Sequence, residues 1–112
     1  MMQALYHLNE QESRLKNLEL PPLLQGQVLL RSLYSMVSLG TERLVAKGQV
    51  PASTWPYMEV PYQDGDFSFP IKYGYSLIAL VENAPARLLG KEVHVMHPHQ
   101  DICIVAEEAV FP

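Results

Sequence analysis

The sequence predicts a mainly β domain carrying one short helix, folded as a small barrel or sandwich. Three observations predict it. Apolar residues fall in short segments that mostly alternate with polar ones, the period-2 pattern of half-buried strands. Nine prolines and six glycines, scattered along the chain, divide it into those segments. At 112 residues with 48% hydrophobic side chains, the chain has the size of one ordinary domain and enough apolar material for one core.

Met2–Leu8 and Arg14–Leu20, separated by the polar stretch Asn9-Glu10-Gln11-Glu12-Ser13, read as a hairpin with Leu15, Leu18 and Leu20 near one face of its second arm. Pro21-Pro22 ends that arm, because neither proline can donate to a ladder. After Gly26, QVLLRSLYSMVS reads as a longer, more deeply buried strand, the expected centre of the sheet. In GTERLVAKG the pattern changes to a helix of about two turns: Thr41 as cap, Glu42 in the first turn, Lys47 in the last, Gly48 as terminator. Gln49–Pro70 carries four prolines, Asp64-Gly65-Asp66 and the aromatics Trp55, Tyr57, Tyr62, Phe67 and Phe69 without sustained periodicity. A loop this long is uncommon unless functional or disordered, and the aromatic content argues for an ordered substrate-side or interface loop. Strand character returns at Ile71–Tyr75 and SLIALVE, turns at Asn83-Ala84-Pro85, and resumes in KEVHVMH, with Val93, Val95 and His97 on one face and Glu92, His94 and Met96 on the other. DICIVA gives the last strand before EEAVF closes the domain.

Charge and composition exclude several functions. Twelve acidic against eight basic residues give a formal charge of -4 with no basic block, which argues against nucleic-acid binding. The longest apolar run is far too short to cross a bilayer, and MMQALYHLNEQ lacks a basic head and apolar core, so a soluble cytoplasmic protein without membrane partners is expected. The single cysteine, Cys103, cannot form an internal disulfide and fits a small buried thiol in an alternating strand.

Local motifs name no enzyme by themselves. Phosphate-cradling glycine motifs and an elbow serine are missing. His94, His97 and His99 form H-x-x-H-x-H around Pro98, either zinc ligands or partly exposed polar residues at a strand end. Asp64 and Asp66 read as an acid/base pair or, better, a turn between aromatics, and Glu107-Glu108 as a solvated end.

Taken in order, VLLRSLYSMVSLGTERLVAKG, the aromatic loop, PIKYGYSLIALVE, LLGKEVHVMHPH and the closing VFP resemble the GroES-like catalytic domain of the medium-chain dehydrogenase/reductase superfamily, the zinc-type alcohol dehydrogenase-like enzymes. The similarity runs from Met2 to Pro112, and SLGTE is similar to the Ser-x-Gly-Thr-Glu of threonine-dehydrogenase-like members. It implies a partly open GroES-like β-barrel with one or two short helices over residues 1–112 and an NAD(P)-dependent oxidoreductase acting on a small alcohol or carbonyl. The cofactor would be held by a Rossmann domain absent from this chain, so the chain alone would be inactive. The zinc positions depart from the family pattern: Leu39 or Ser38 stands for the first cysteine, Tyr75 and Ser76 for His and Glu, and Cys103 is alone where a cysteine-rich lobe would lie. The resemblance therefore implies a zinc-free member, with neither catalytic nor structural zinc.

By that resemblance Thr41 falls where relatives carry a proton-transferring hydroxyl, and Tyr75 is placed to donate a hydrogen bond to a substrate carbonyl. Ser38, Glu42, Trp55 and Tyr57 would line the substrate cleft. Relatives usually dimerise or tetramerise, which makes a homodimer one implied partner. The competing reading is a non-enzymatic binding or assembly module acting through the aromatic loop; a metal-binding protein using the three histidines is a third.

Overall fold

The computed structural model describes residues 1–112 as two antiparallel sheets that curl into a partly open barrel. One sheet has the order β2-β1-β5-β4, where β1 is Met2–Asn9, β2 Glu12–Leu18, β4 Asp64–Gly65 and β5 Ile71–Lys72. The other has the order β8-β3-β6-β7-β9, where β3 is Gln27–Ser35, β6 Leu77–Asn83, β7 Glu92–Val95, β8 Ile102–Ala106 and β9 Val110–Phe111. The mainly β barrel expected from the sequence is the observed class, with helices α1 at Leu39–Ala46 and α2 at Trp55–Met58.

The hairpin forms as expected, with Tyr6 opposite Arg14 and Leu5 opposite Leu15. Its second arm does not build the expected apolar face. It is an edge strand, Leu15 and Leu20 are exposed, and the charges of Glu12, Arg14 and Lys16 protect that edge from further pairing. The strand β3 is interior and its Val28 and Leu30 are fully buried, but the middle position of its sheet belongs to β6. Alternation in β3, β6, β7 and β8 sends Val28, Leu30, Leu77, Ala79, Val93, Val95, Cys103 and Val105 into one core.

The helix α1 has the predicted length and ends before Gly48, but Thr41 is not its cap. Ser38 occupies that position, no side chain caps the helix, and Thr41 lies within the first turn. The segment Gln49–Pro70 is more structured than a plain loop: a 3-10 turn at Ala52–Thr54 runs into α2, where Pro56 suits a first turn, and β4 pairs with β5. Its aromatics build a second core, Val45, Val50, Phe67, Ile71 and Tyr73 with Trp55, Met58, Val60, Phe69 and Tyr75 packed against it. The Asp64-Gly65-Asp66 tract serves structure: Asp64 accepts the Tyr6 hydroxyl at 2.6 Å, and Asp66 accepts from Ser68. Glu107 is not a solvated end, since it pairs with Arg87 in a 3-10 turn and the chain continues into β9 against β7.

The sheets are joined where β1 meets the segment before β8. The Leu5 N–H donates to the His99 carbonyl at 3.0 Å, the Asp101 N–H to the Gln3 carbonyl at 3.0 Å, and Ala4 bridges Gln100. No helix is long and apolar enough to cross a membrane.

Candidate functional site

At this seam a carboxylate sits between two imidazoles. Glu42, in the first turn of α1, accepts a hydrogen bond from His7 Nε2 of β1 at 2.9 Å on one oxygen and from His99 Nε2 at 3.2 Å on the other. Both rings are buried and Glu42 is nearly so. Burial works to raise the Glu42 carboxyl, but the hydrogen bonds from His7 and His99, reinforced by the charge of both rings, outweigh it and hold the group down at about 2. Glu42 is therefore ionised at neutral pH and requires a proton on Nε2 of each ring. With the ring neutral, Nδ1 is the acceptor, and each faces a serine hydroxyl: Ser13 at 2.7 Å from His7, and Ser35 against His99. The result is an unbroken line, Ser13–His7–Glu42–His99–Ser35, with its two serines exposed and its centre buried.

Backbone geometry makes room for it. Gly74 has φ +139, and a Cβ there would lie 3.0 Å from His99 Nε2, so the strand-to-strand passage Tyr73–Ser76 packs directly over the ring only because residue 74 has no side chain. Two open grooves flank the pair. One of about 400 Å³ is lined by Leu5, Leu15, Ser35, Val37, His99 and Gln100, among others. The second, about 370 Å³, lies along α1 between Val37, Leu39, Glu42, Arg43 and Ala46.

The expected site residues are distributed unevenly about this centre. Glu42 is its hub, Ser38 begins the helix that carries it, and the Thr41 hydroxyl makes no hydrogen bond within the chain. Tyr75 stands edge-on to Tyr73, ring centroids 6.3 Å apart, and its hydroxyl is also without a partner in the chain. The Tyr73 hydroxyl, by contrast, donates to the Met58 carbonyl and is pushed up to about 12 by burial, with Tyr75 and Glu42 adding to the effect. Trp55 packs on Phe67 and donates from its indole N–H to the Val50 carbonyl at 2.9 Å, whereas Tyr57 is 87% exposed. Neither borders the two grooves beside Glu42.

The three neighbouring histidines separate. His97 and His99 are buried, not partly exposed at a strand end, because the chain from His97 to Gln100 runs inside the barrel seam. His97 donates from Nδ1 to the Pro98 carbonyl at 2.8 Å, stacks on Tyr62, and is pulled down to about 4 by burial. His94 lies on the opposite face near Ser76 and Phe111. No group of three or more His, Cys, Asp or Glu side chains is arranged to hold a metal ion. Cys103 is fully buried and its thiol is pushed up to about 12 by that burial, as an inert core cysteine should be. Sequence reasoning singled out Glu42 and His99 but not His7, Ser13 or Ser35. The bonded histidines lie 35 and 57 residues from Glu42 along the chain, so no local spacing joins them.

Comparison with solved structures then places the fold. The quinone oxidoreductase from Thermus thermophilus, solved alone and with NADPH, matches 98% of this chain and 32% of its own, with a TM-score of 0.64 and 16% identity. A protein assigned as an NADPH:quinone reductase from Bacillus thuringiensis matches 99% of this chain and 33% of its own, with a TM-score of 0.62 and 17% identity. This chain has the fold of that third. The likeness is one of fold, and it agrees with the GroES-like barrel of medium-chain dehydrogenases/reductases that the sequence resembles. No protein-family model matches the chain, and no curated protein matches its sequence.

Proposed function

We propose that this chain is the substrate-side domain of an NAD(P)-dependent, zinc-independent oxidoreductase that reduces a carbonyl or quinone, completed by a Rossmann domain in the same protein or in another chain. The observation that carries this reading is the fold shared, over nearly the whole chain, with a third of two quinone oxidoreductase structures. The site supports it. Thr41, next to Glu42 in the first turn of α1, and Tyr75, packed on Tyr73, each hold a hydroxyl unused by the fold, as donors to a substrate oxygen require.

The residues at the family's zinc positions do not make a zinc site. Leu39 is an exposed aliphatic side chain, Ser76 bonds His94 at 3.3 Å, and Tyr75 is packed on Tyr73. The oxygen of the substrate is therefore polarised by hydrogen bonds in this reading, and hydride comes from the nicotinamide held by the partner domain.

The test is NAD(P)H oxidation by the polypeptide produced from the native gene in its own cells, against a panel of quinones and carbonyl compounds. Turnover is expected, and Tyr75→Phe should lower kcat by roughly 100-fold, the scale of one lost oxyanion donor. A polypeptide that binds no nicotinamide nucleotide and oxidises none overturns the reading and favours the binding module.

A further inference from the structure

We propose that Ser35, His99 and Glu42 form a nucleophilic triad that hydrolyses carboxylic esters with a short acyl group, a second activity independent of nicotinamide chemistry. The three residues meet the geometric condition for an activated serine: nucleophile on base, base on a third group that orients it. The exposed Ser35 hydroxyl lies at the end of β3, hydrogen-bonded to His99 Nδ1. The buried His99 ring is fixed by the ionised Glu42 in the tautomer that carries its proton on Nε2, so the lone pair of Nδ1 points at the serine.

The second serine–histidine pair, Ser13 and His7, shares the same carboxylate, and the grooves distinguish the two. Ser35 and His99 both line the groove of about 400 Å³, together with the apolar side chains of Leu5, Leu15 and Val37, whereas Ser13 and His7 border neither groove. Those apolar walls suit a short aliphatic or small aryl acyl group. The backbone N–H groups of Val37 and Ser38, two and three residues past Ser35, are engaged in no hydrogen bond and are the donors nearest in sequence for an oxyanion.

In the first half-reaction the Ser35 oxygen adds to the ester carbonyl while its proton passes to His99 Nδ1. The bond to the leaving alcohol then breaks, and the alcohol leaves with that proton. In the second, water adds to the acyl-serine, again giving its proton to His99. The carboxylic acid departs and Ser35 recovers its proton, so no oxidant or cofactor enters. Glu42 acts as a positioning residue throughout.

The experiment is hydrolysis of p-nitrophenyl acetate by the full chain, with peptide mapping after treatment with a reactive fluorophosphonate. Hydrolysis above that of an equal concentration of free imidazole is expected, with the label on Ser35. Ser35→Ala should lower kcat by roughly 100-fold, and Ser53→Ala, an exposed serine on the aromatic loop, should leave the rate unchanged. Glu42→Gln should lower kcat with little change in KM, a split that a loss of folded protein would not give in rates normalised to folded chain. Undiminished hydrolysis by Ser35→Ala, hydrolysis no faster than imidazole, or a label on another residue would each overturn the triad. These outcomes leave the oxidoreductase reading untouched, because nucleotide oxidation does not use an acyl-serine.

Discussion

Replacing Glu42 with Gln removes one charge from the buried seam while keeping its size, and the structure sets what this should cost. The carboxyl falls from an ordinary value of 4.5 to about 2 in the folded chain, a difference worth about 3 kcal/mol. A group depressed on folding contributes stability above its unfolded value and loses it as pH falls through the folded one. The wild-type advantage over Glu42→Gln should therefore be complete at neutral pH, begin to shrink near 4.5, and vanish as pH approaches 2. The variant carries a further penalty, because a Gln amide can accept from one imidazole N–H but must present its own N–H groups to the other. Urea unfolding followed by the fluorescence of the single tryptophan, Trp55, measures the gap at each pH. A gap that stays constant from neutral pH to about 3, or no gap at all, would refute an ionised carboxylate held by two imidazoles.

Other consequences are open to the same methods. His97, pulled from 6.5 down to about 4, costs stability as pH falls through that window, about 3 kcal/mol in all, and His97→Gln should abolish that portion of the pH dependence. Gly74→Ala forces an alanine to φ +139 and its Cβ to 3.0 Å from His99 Nε2, so it should destabilise by about 1–3 kcal/mol and displace the His99 ring signal in an NMR spectrum. An unshifted ring would contradict the close approach. Leu30→Ala, in the larger core, should cost about 2–5 kcal/mol in the same urea assay. Cys103 should resist a thiol reagent in the folded chain and react at once in denaturant, whereas fast native reaction would show that the barrel opens there.

Much of the barrel was legible because its core strands obey the period of two. Val93, Val95 and His97 face inward and Glu92 and Met96 outward, as alternation alone requires. The hairpin misled because periodicity reports where apolar residues could be buried, not whether a partner surface exists. Leu15 has none in this chain, since β2 is the sheet's edge. The aromatic loop misled in the opposite sense. Its residues lack a period because they fill an irregular second core around α2, where each packs from a different backbone conformation. Thr41 reads as a cap in isolation, yet the helix begins earlier, at Leu39, and Thr41 falls inside the turn.

The site shows where such reading stops. Glu42 was visible because a helix start favours an acidic residue, and His99 because histidines near a proline draw notice. Their relation was not visible, since it depends on barrel closure. Hydrogen bonds from β1 to the segment around His99 bring His7 and His99 to the two oxygens of one carboxylate carried by α1. Three elements far apart in sequence thus supply one charge network, and each is held by backbone bonds that the network does not make. That separation has a physical consequence. The closing bonds Leu5 to His99 and Asp101 to Gln3 persist when Glu42 loses its charge, so the barrel should remain closed while the histidines lose their fixed tautomers. Closure and chemistry at this seam are therefore separable, and a variant that stays folded at reduced stability but loses its Ser35 reactivity would demonstrate that separation directly.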